Sequence, residues 1–191
     1  MNIKQSIRYD SERSNEFTKE VMARPGGEMI QACIQCGTCS GVCPMSNYMD
    51  RTPRQIIYMA REGFGDEVLR SRTIWMCTSC YACTVECPRG IKITDVMYAL
   101  KRMAMERGTY PQRFPTSTMA RDFFNMVRKN GRINESRLGF LVFLKTNWMR
   151  LLTSAGLGLD LIKTGRFSLK QEQIKSKNEL NSILSGNGRP E

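Results

Sequence analysis

The chain of 191 residues contains no histidine. This removes the commonest general base, the usual nitrogen ligand of zinc and the histidine pair of a Rieske centre. Metal chemistry, if present, must use sulfur or oxygen. Long apolar runs are also missing. No stretch approaches the eighteen or so uninterrupted apolar residues that a membrane helix needs. The best candidate, residues 138–161, is broken by Lys145, Asn147, Arg150 and Asp160. The opening residues, MNIKQSIRYDSERSNE, are polar and carry no secretory apolar core. The expectation is a cytoplasmic protein without a transmembrane segment. No run alternates strictly for long enough to claim a strand, so the expected fold class is mostly α.

Hydrophobic residues make up 41% of the chain and charged residues 25%. That suffices for one domain, or for a small core with an appended segment. The formal charge of +11 first suggests nucleic acid. Two features argue against it. The basic residues are spread along the chain instead of forming a block, and the count treats eight cysteines as neutral thiols. Were those thiols to hold two oxidised cubanes, the charge would fall by about 4. The remaining surplus reads either as a docking face for acidic partners or as an ordinary solvated surface.

The cysteines lie at Cys33, Cys36, Cys39 and Cys43, and again at Cys77, Cys80, Cys83 and Cys87. The stretches CIQCGTCSGVCP and CTSCYACTVECP share one pattern, C-x2-C-x2-C-x3-C-P, with the second copy 44 residues after the first. This is the run that holds two [4Fe–4S] clusters in bacterial ferredoxins, with the fourth cysteine of each run serving the other cluster. Three cysteines at i, i+3 and i+6 let one tight loop present three thiolates to three corners of a cubane. The fourth lies one residue off that rhythm, and proline after it carries the chain out of the loop. The pattern pairs Cys33, Cys36 and Cys39 with Cys87 on cluster 1. It pairs Cys77, Cys80 and Cys83 with Cys43 on cluster 2. Two clusters held this way are close enough for stepwise electron transfer.

The residues between the cysteines suit that use. Gly37, Thr38, Ser40 and Gly41 are small, so backbone N–H groups can approach the sulfurs. Ile34, Val42, Val85, Ile91 and Ile93 are candidates to shield the clusters from water, or simply to pack the loops. Disulfides would need an oxidising compartment. All-cysteine zinc sites use paired C-x2-C knuckles, not a triplet followed by C-P. A catalytic cysteine would lack a histidine to activate it.

The remaining chain reads as helices. Residues 12–23 are amphipathic, with Phe17, Val21 and Met22 on one side. Thr52, Pro53 and Gln55 form a helix start, and Gly63 its stop. A short helix is expected over Asp66–Thr73. Thr94 is the expected cap of a helix over Asp95–Arg107, with Met97, Leu100, Met103 and Ala104 as its stripe and Gly108 as its end. Pro111 and Pro115 punctuate a linker. Met119–Lys129 is expected to be helical up to Asn130-Gly131. Leu138, Leu141, Leu144, Trp148 and Leu151 recur at helical spacing, a stripe that serves either packing or partner docking. Gly156 and Gly158 loosen the chain and Gly165 marks a break. The tail from Lys170 is polar, with Ile174, Leu180, Ile183 and Leu184 as its anchors. Its end, SGNGRPE, is expected to be disordered. The expected organisation is an N-terminal helical segment (1–27), a two-cluster domain (28–110) and a helical partner-docking extension with a flexible tail (111–191).

The two motifs and their long helical spacer resemble the α-helical ferredoxin arrangement. More narrowly, they resemble the C-type iron–sulfur electron-transfer subunit of heterodisulfide reductase. The likeness runs over roughly residues 28–108. Related domains occur in succinate dehydrogenase and fumarate reductase, anaerobic glycerol-3-phosphate dehydrogenase and sulfur-metabolising complexes. The succinate dehydrogenase type adds a [2Fe–2S] domain and lacks one cluster ligand, whereas both quartets are complete here. Fused reductase chains continue into CCG repeats, and this chain has no adjacent cysteines. The resemblance implies a non-catalytic electron-transfer subunit with two [4Fe–4S] clusters. Its implied donor is a flavin/iron–sulfur subunit, and a hydrogenase or formate dehydrogenase module is a further partner that the resemblance allows. Its implied acceptor is a CCG-domain catalytic subunit that reduces the coenzyme M–coenzyme B disulfide in methanogenesis. A relay in another respiratory or sulfur-metabolism complex, and a nucleic-acid-binding protein with structural clusters, remain as alternatives.

Overall fold

A computed structural model describes residues 13–111, 114–147, 149, 153, 155–165 and 172–184. The described residues are helical and contain no strand. The chain divides into two compact units, 1–111 and 112–191.

The first unit begins with α1 (Asn15–Met22), shorter than the amphipathic pattern suggested. Ser14 caps it, accepting the Phe17 N–H, and the helix buries Phe17, Thr18 and Val21. The Thr18 hydroxyl donates to the Ala60 and Arg61 carbonyls, fastening α1 to the end of α3 (Pro53–Arg61). The start of α3 is the expected one. Thr52 and Gln55 form a reciprocal capping box and Pro53 stands at the first turn, where its missing N–H leaves no donor unpaired.

The expected single helix over Asp66–Thr73 is instead two, α4 (Gly65–Arg70) and α5 (Thr73–Met76), with Ser71 extended between them. The break has a cause 21 residues away. The Asp50 carboxylate accepts from the Ser71 hydroxyl (2.9 Å), the Arg72 N–H (3.2 Å), the Thr73 N–H (2.9 Å) and the Thr73 hydroxyl (2.8 Å). Those bonds replace the ones a continuous helix would have made.

The helix α7 (Ile93–Glu106) carries the expected stripe, with Met97, Leu100, Met103 and Ala104 buried. They join Ile30, Ile56, Ile57, Leu69 and Ile74 in one core. Each of the leucine, isoleucine and methionine side chains contributes about 1.5–3 kcal/mol when withdrawn from water. Thr94 does not cap this helix. It lies one residue inside, and its own N–H is accepted by the Thr84 hydroxyl at 3.1 Å.

In the second unit, α8 (Pro115–Asn130) starts four residues earlier than expected, because Pro115 opens the helix instead of belonging to a linker. Gly131, with φ of 74°, ends it. Asn134 caps α9 (Glu135–Thr146) by accepting the Arg137 N–H at 2.9 Å. Along the expected stripe, Leu138 is buried but Leu144 is 52% exposed; Trp148 and Leu151 lie outside the described residues. Gly156 and Gly158 do not loosen the chain, for both lie within α10 (Ala155–Lys163). The tail forms α11 (Lys177–Leu184), which packs on α8, and Ile174 donates its N–H to the Asn130 carbonyl at 3.1 Å. The terminal SGNGRPE lies outside the described residues, as do residues 1–12.

Candidate metal centres

The two cysteine loops are built alike. A 3-10 turn (Ile30–Ala32) leads into Cys33, and α5 leads into Cys77. A four-residue helix then carries the third cysteine of each run: α2 (Thr38–Gly41) holds Cys39, and α6 (Ala82–Val85) holds Cys83. These two short helices lie against each other. Between the flanking turns, the backbone is left-handed at matched positions. Gln35 (φ 59°) and Gly37 (φ 87°) in the first loop correspond to Ser79 (φ 58°) and Tyr81 (φ 62°) in the second. A non-glycine residue held this way costs about 1–2 kcal/mol, and such strain gathers at functional sites.

The curled loops enclose two cavities. Cys33, Cys36, Cys39 and Cys87 line the first. Cys43, Cys77, Cys80 and Cys83 line the second. Each cavity thus takes three cysteines from its own loop and one from the other. Ile93, 3% exposed, lines both. The thiols ring a space instead of meeting at a point. Among the described residues, no three Cys, Asp or Glu side chains converge as they would on a single ion. A tetrahedral zinc–thiolate centre draws its sulfurs to about 3.8 Å of one another, given Zn–S bonds near 2.3 Å. A four-iron cubane sets its sulfurs on four outer corners, so an all-sulfur ring around a cavity fits a cubane better.

The thiols differ in their electrostatics. Burial pushes the Cys39 thiol up to about 11; repulsion from Cys33, Cys83 and Cys36 adds to this, against a hydrogen bond from Ser40. Cys83 is also raised by burial first, with the Thr94 hydroxyl opposing and Cys77, Cys43 and Cys80 reinforcing. A buried thiol among thiols gives up its proton when a metal offsets the charge. Cys36 is exposed, and the Thr38 hydroxyl (3.4 Å) and N–H lower it. Ile93 lines both cavities and α2 lies against α6, so the two sites are neighbours.

Several side chains that sequence reasoning passed over surround the thiols. The Gln35 amide donates to Cys33 Sγ at 3.2 Å, and Arg54 Nη1 donates to Gln35 Oε1 at 3.3 Å. Arg61 donates to the Cys33 carbonyl at 2.8 Å, Arg89 to the Ala32 carbonyl at 3.3 Å, and Lys101 to the Cys77 carbonyl at 3.3 Å. Thr94 Oγ1 lies 3.7 Å from Cys83 Sγ. Arg54, Arg61, Thr94 and Lys101 come from helices, and no spacing rule links them to the cysteines; Gln35 and Arg89 stand two residues after Cys33 and Cys87. Of the expected shields, Ile91 and Ile93 are buried, but Ile34 and Val85 are 61% and 78% exposed, because both sit on the outer rim of their loops.

Residues 29–91 match the 4Fe-4S dicluster domain family. The chain carries a 4Fe–4S dicluster domain. It resembles the C-subunits of heterodisulfide reductases. Over 93 residues it is 42% identical to the C-subunit of the H(2):CoB-CoM heterodisulfide,ferredoxin reductase of Methanothermobacter marburgensis, covering 49% of this chain and 50% of that one. Over 123 residues it is 35% identical to the C 2 iron-sulfur subunit of the CoB–CoM heterodisulfide reductase of Methanocaldococcus jannaschii, covering 64% and 66%. The C-subunit of the ferredoxin:CoB-CoM heterodisulfide reductase of Methanosarcina mazei is 40% identical over 95 residues, covering 50% and 57%. The chain spans about half the length of the first of these relatives. Among the described residues, no helix is long and apolar enough to cross a membrane.

Proposed function

We propose that this chain is the electron-transfer subunit of a heterodisulfide reductase complex and holds two [4Fe–4S] clusters. The observation that carries the reading is the crossed pair of four-cysteine cavities. Cys33, Cys36, Cys39 and Cys87 would hold one cluster, and Cys43, Cys77, Cys80 and Cys83 the other. When bound, each cluster supplies a reversible one-electron store. The protein's own part is positional. The left-handed loop residues aim the thiols inward, α2 and α6 keep the third cysteines adjacent, and Ile93 keeps water from between the sites. Lysine and arginine around the loops favour the added negative charge of reduction.

In this reading electrons come from a flavin/iron–sulfur subunit and pass to a CCG-domain subunit that reduces the coenzyme M–coenzyme B disulfide. The names of the relatives support that assignment. This chain performs no disulfide chemistry itself, since the thiols lining the cavities are committed as ligands. Residues 111–191 would meet the partner subunits. The exposed Met119, Phe123, Phe124 and Leu144 support this. Thiolate ligands persist in a reducing compartment, which favours the cytoplasm.

Anaerobic iron and sulfide analysis with EPR during a reductive titration tests the proposal. About eight irons per chain and two magnetically interacting [4Fe–4S] signals are expected. Zinc in place of iron, or clusters that never reduce, would overturn it.

A further inference from the structure

The two sites differ in what surrounds them, although their backbones match. Arg54 and Arg89 line the first cavity. Among the described residues, no charged side chain lines the second. The matched positions Gln35 and Ser79 diverge as well. Gln35 turns its amide onto Cys33 Sγ, while the Ser79 hydroxyl donates to the Tyr98 hydroxyl at 2.7 Å instead. Arg54 holds the Gln35 carbonyl oxygen, so a guanidinium polarises the amide that faces the sulfur and strengthens that bond.

Other groups do not reverse this difference. Arg61 also reaches the first loop, but its charge is shared with Glu62 at 3.0 Å. Glu86 precedes Cys87 but does not line the first cavity, whereas Arg54 and Arg89, though equally exposed, do. At the second site Lys101 is the nearby cation, held on the Cys77 carbonyl with Nζ 5.1 Å from the centre of the Tyr98 ring. A hydroxyl approaches one sulfur at each site, Thr38 at Cys36 and Thr94 at Cys83, and these offset one another. Positive charge and N–H donation to sulfur both stabilise the reduced state of a thiolate-bound cluster.

We infer that the site of Cys33, Cys36, Cys39 and Cys87 is the higher-potential one of the pair, set by Arg54, Arg89 and Gln35. The inference rests on the two-cluster reading above. A single electron delivered to the chain comes to rest at this site. An electron arriving at the second site passes across Ile93 to the first, so the second site oxidises as the first reduces, and no bond forms or breaks. Transfer is therefore downhill from the second site to the first.

The test is an EPR-monitored redox titration of the full-length, cluster-loaded chain. Arg54→Gln with Arg89→Gln should lower the higher of the two midpoints and leave the lower one nearly in place. Arg54→Lys with Arg89→Lys should recover most of that shift. Gln35→Leu should lower the same midpoint, and Lys101→Gln should lower the other. Should the double variant load poorly, Arg89→Gln and Gln35→Leu alone decide the matter, since neither residue lies in a helix. The inference falls if the arginine and glutamine variants move the lower midpoint, or move neither while about eight irons remain bound. Fewer than about eight irons in the unaltered chain would instead defeat the two-cluster reading.

Discussion

Tyr81 and Gly37 occupy the same place in the two cysteine loops and share a left-handed backbone, at φ 62° and 87°. Glycine adopts that conformation without penalty; tyrosine does so against about 1–2 kcal/mol. The loop shape is thus imposed by its surroundings and not by residue preference. Tyr81 also lines the second cavity, so its ring adds packing there that a glycine could not.

A substitution at Gly37 isolates the backbone penalty. A Cβ added there meets nothing nearer than Arg54 Cδ at 3.7 Å, an ordinary contact. Gly37→Ala should therefore destabilise by about 1 kcal/mol, read as a lower thermal midpoint by circular dichroism. Gly63 has a similar φ of 84°, but its Cβ would lie 2.5 Å from the Ser14 carbonyl oxygen. Gly63→Ala should be clearly worse than Gly37→Ala. Equal midpoints for the two variants would contradict the close approach of α1's cap to the end of α3.

The crossed cavities predict which cysteine changes resemble each other. Cys87→Ala should disturb the same EPR signal as Cys36→Ala, although Cys87 belongs to the second run. Cys43→Ala should match Cys80→Ala. Each single change should leave about four irons per chain, with the other signal preserved. Signals that sort by run, with Cys43 grouped with Cys36, would disprove the crossing.

Asp50 organises the break between α4 and α5. Burial alone would raise its carboxyl, but hydrogen bonds from Thr73, Ser71 and the Arg72 N–H hold it below the usual carboxylate range. Asp50→Asn retains the shape and loses the charge-assisted acceptor, a loss of about 1–2 kcal/mol. A depressed folded value means the contribution is full above the unfolded value of about 3.9 and vanishes as pH falls through the lower folded value. The gap in thermal midpoint between the two proteins should accordingly be the same at about pH 6 and about pH 8. A gap that changes across that range would point to a different titrating group.

In the second unit, Lys145 Nζ lies 2.8 Å from both carboxylate oxygens of Asp122, whose side chain is only 7% exposed. Removing the lysine leaves a buried carboxylate with Arg121 Nε 3.8 Å away. Lys145→Met should destabilise the α8–α9 hairpin by about 1–2 kcal/mol, a figure reduced for the lysine's own exposure. Adding Asp122→Asn should restore part of it. A double variant as unstable as the single one would mean that the stranded carboxylate is not what costs the stability.

Much of this molecule is legible along the chain because its signals are local. The capping box at Thr52 and Gln55 and the stripe of α7 involve residues three or four apart, and such neighbours meet in any helix. The single helix expected over Asp66–Thr73 does not form because Asp50, far away in sequence, captures donors of Ser71, Arg72 and Thr73. Thr94 is no cap because Thr84, ten residues earlier, takes its N–H. Pro115 reads as a linker residue along the chain, since proline interrupts a helix and also begins one, and only its position in the fold decides. Gln35, Arg54 and Arg89 are not legible as site residues. They reach the first cavity from two loops and a helix.

Residue identity alone settles the chemistry available to this protein: eight thiols in two runs of identical spacing, no histidine to compete with them, and a helical frame between. Those features follow from composition and from spacings of a few positions, which chain geometry converts directly into local shape. Folding in three dimensions settles the rest. It sets Ile93 between the two cavities and gathers guanidinium groups at one of them and not the other. Such relationships join residues tens of positions apart. Their proximity is set by how the helices bury their apolar faces, and no local rule encodes that.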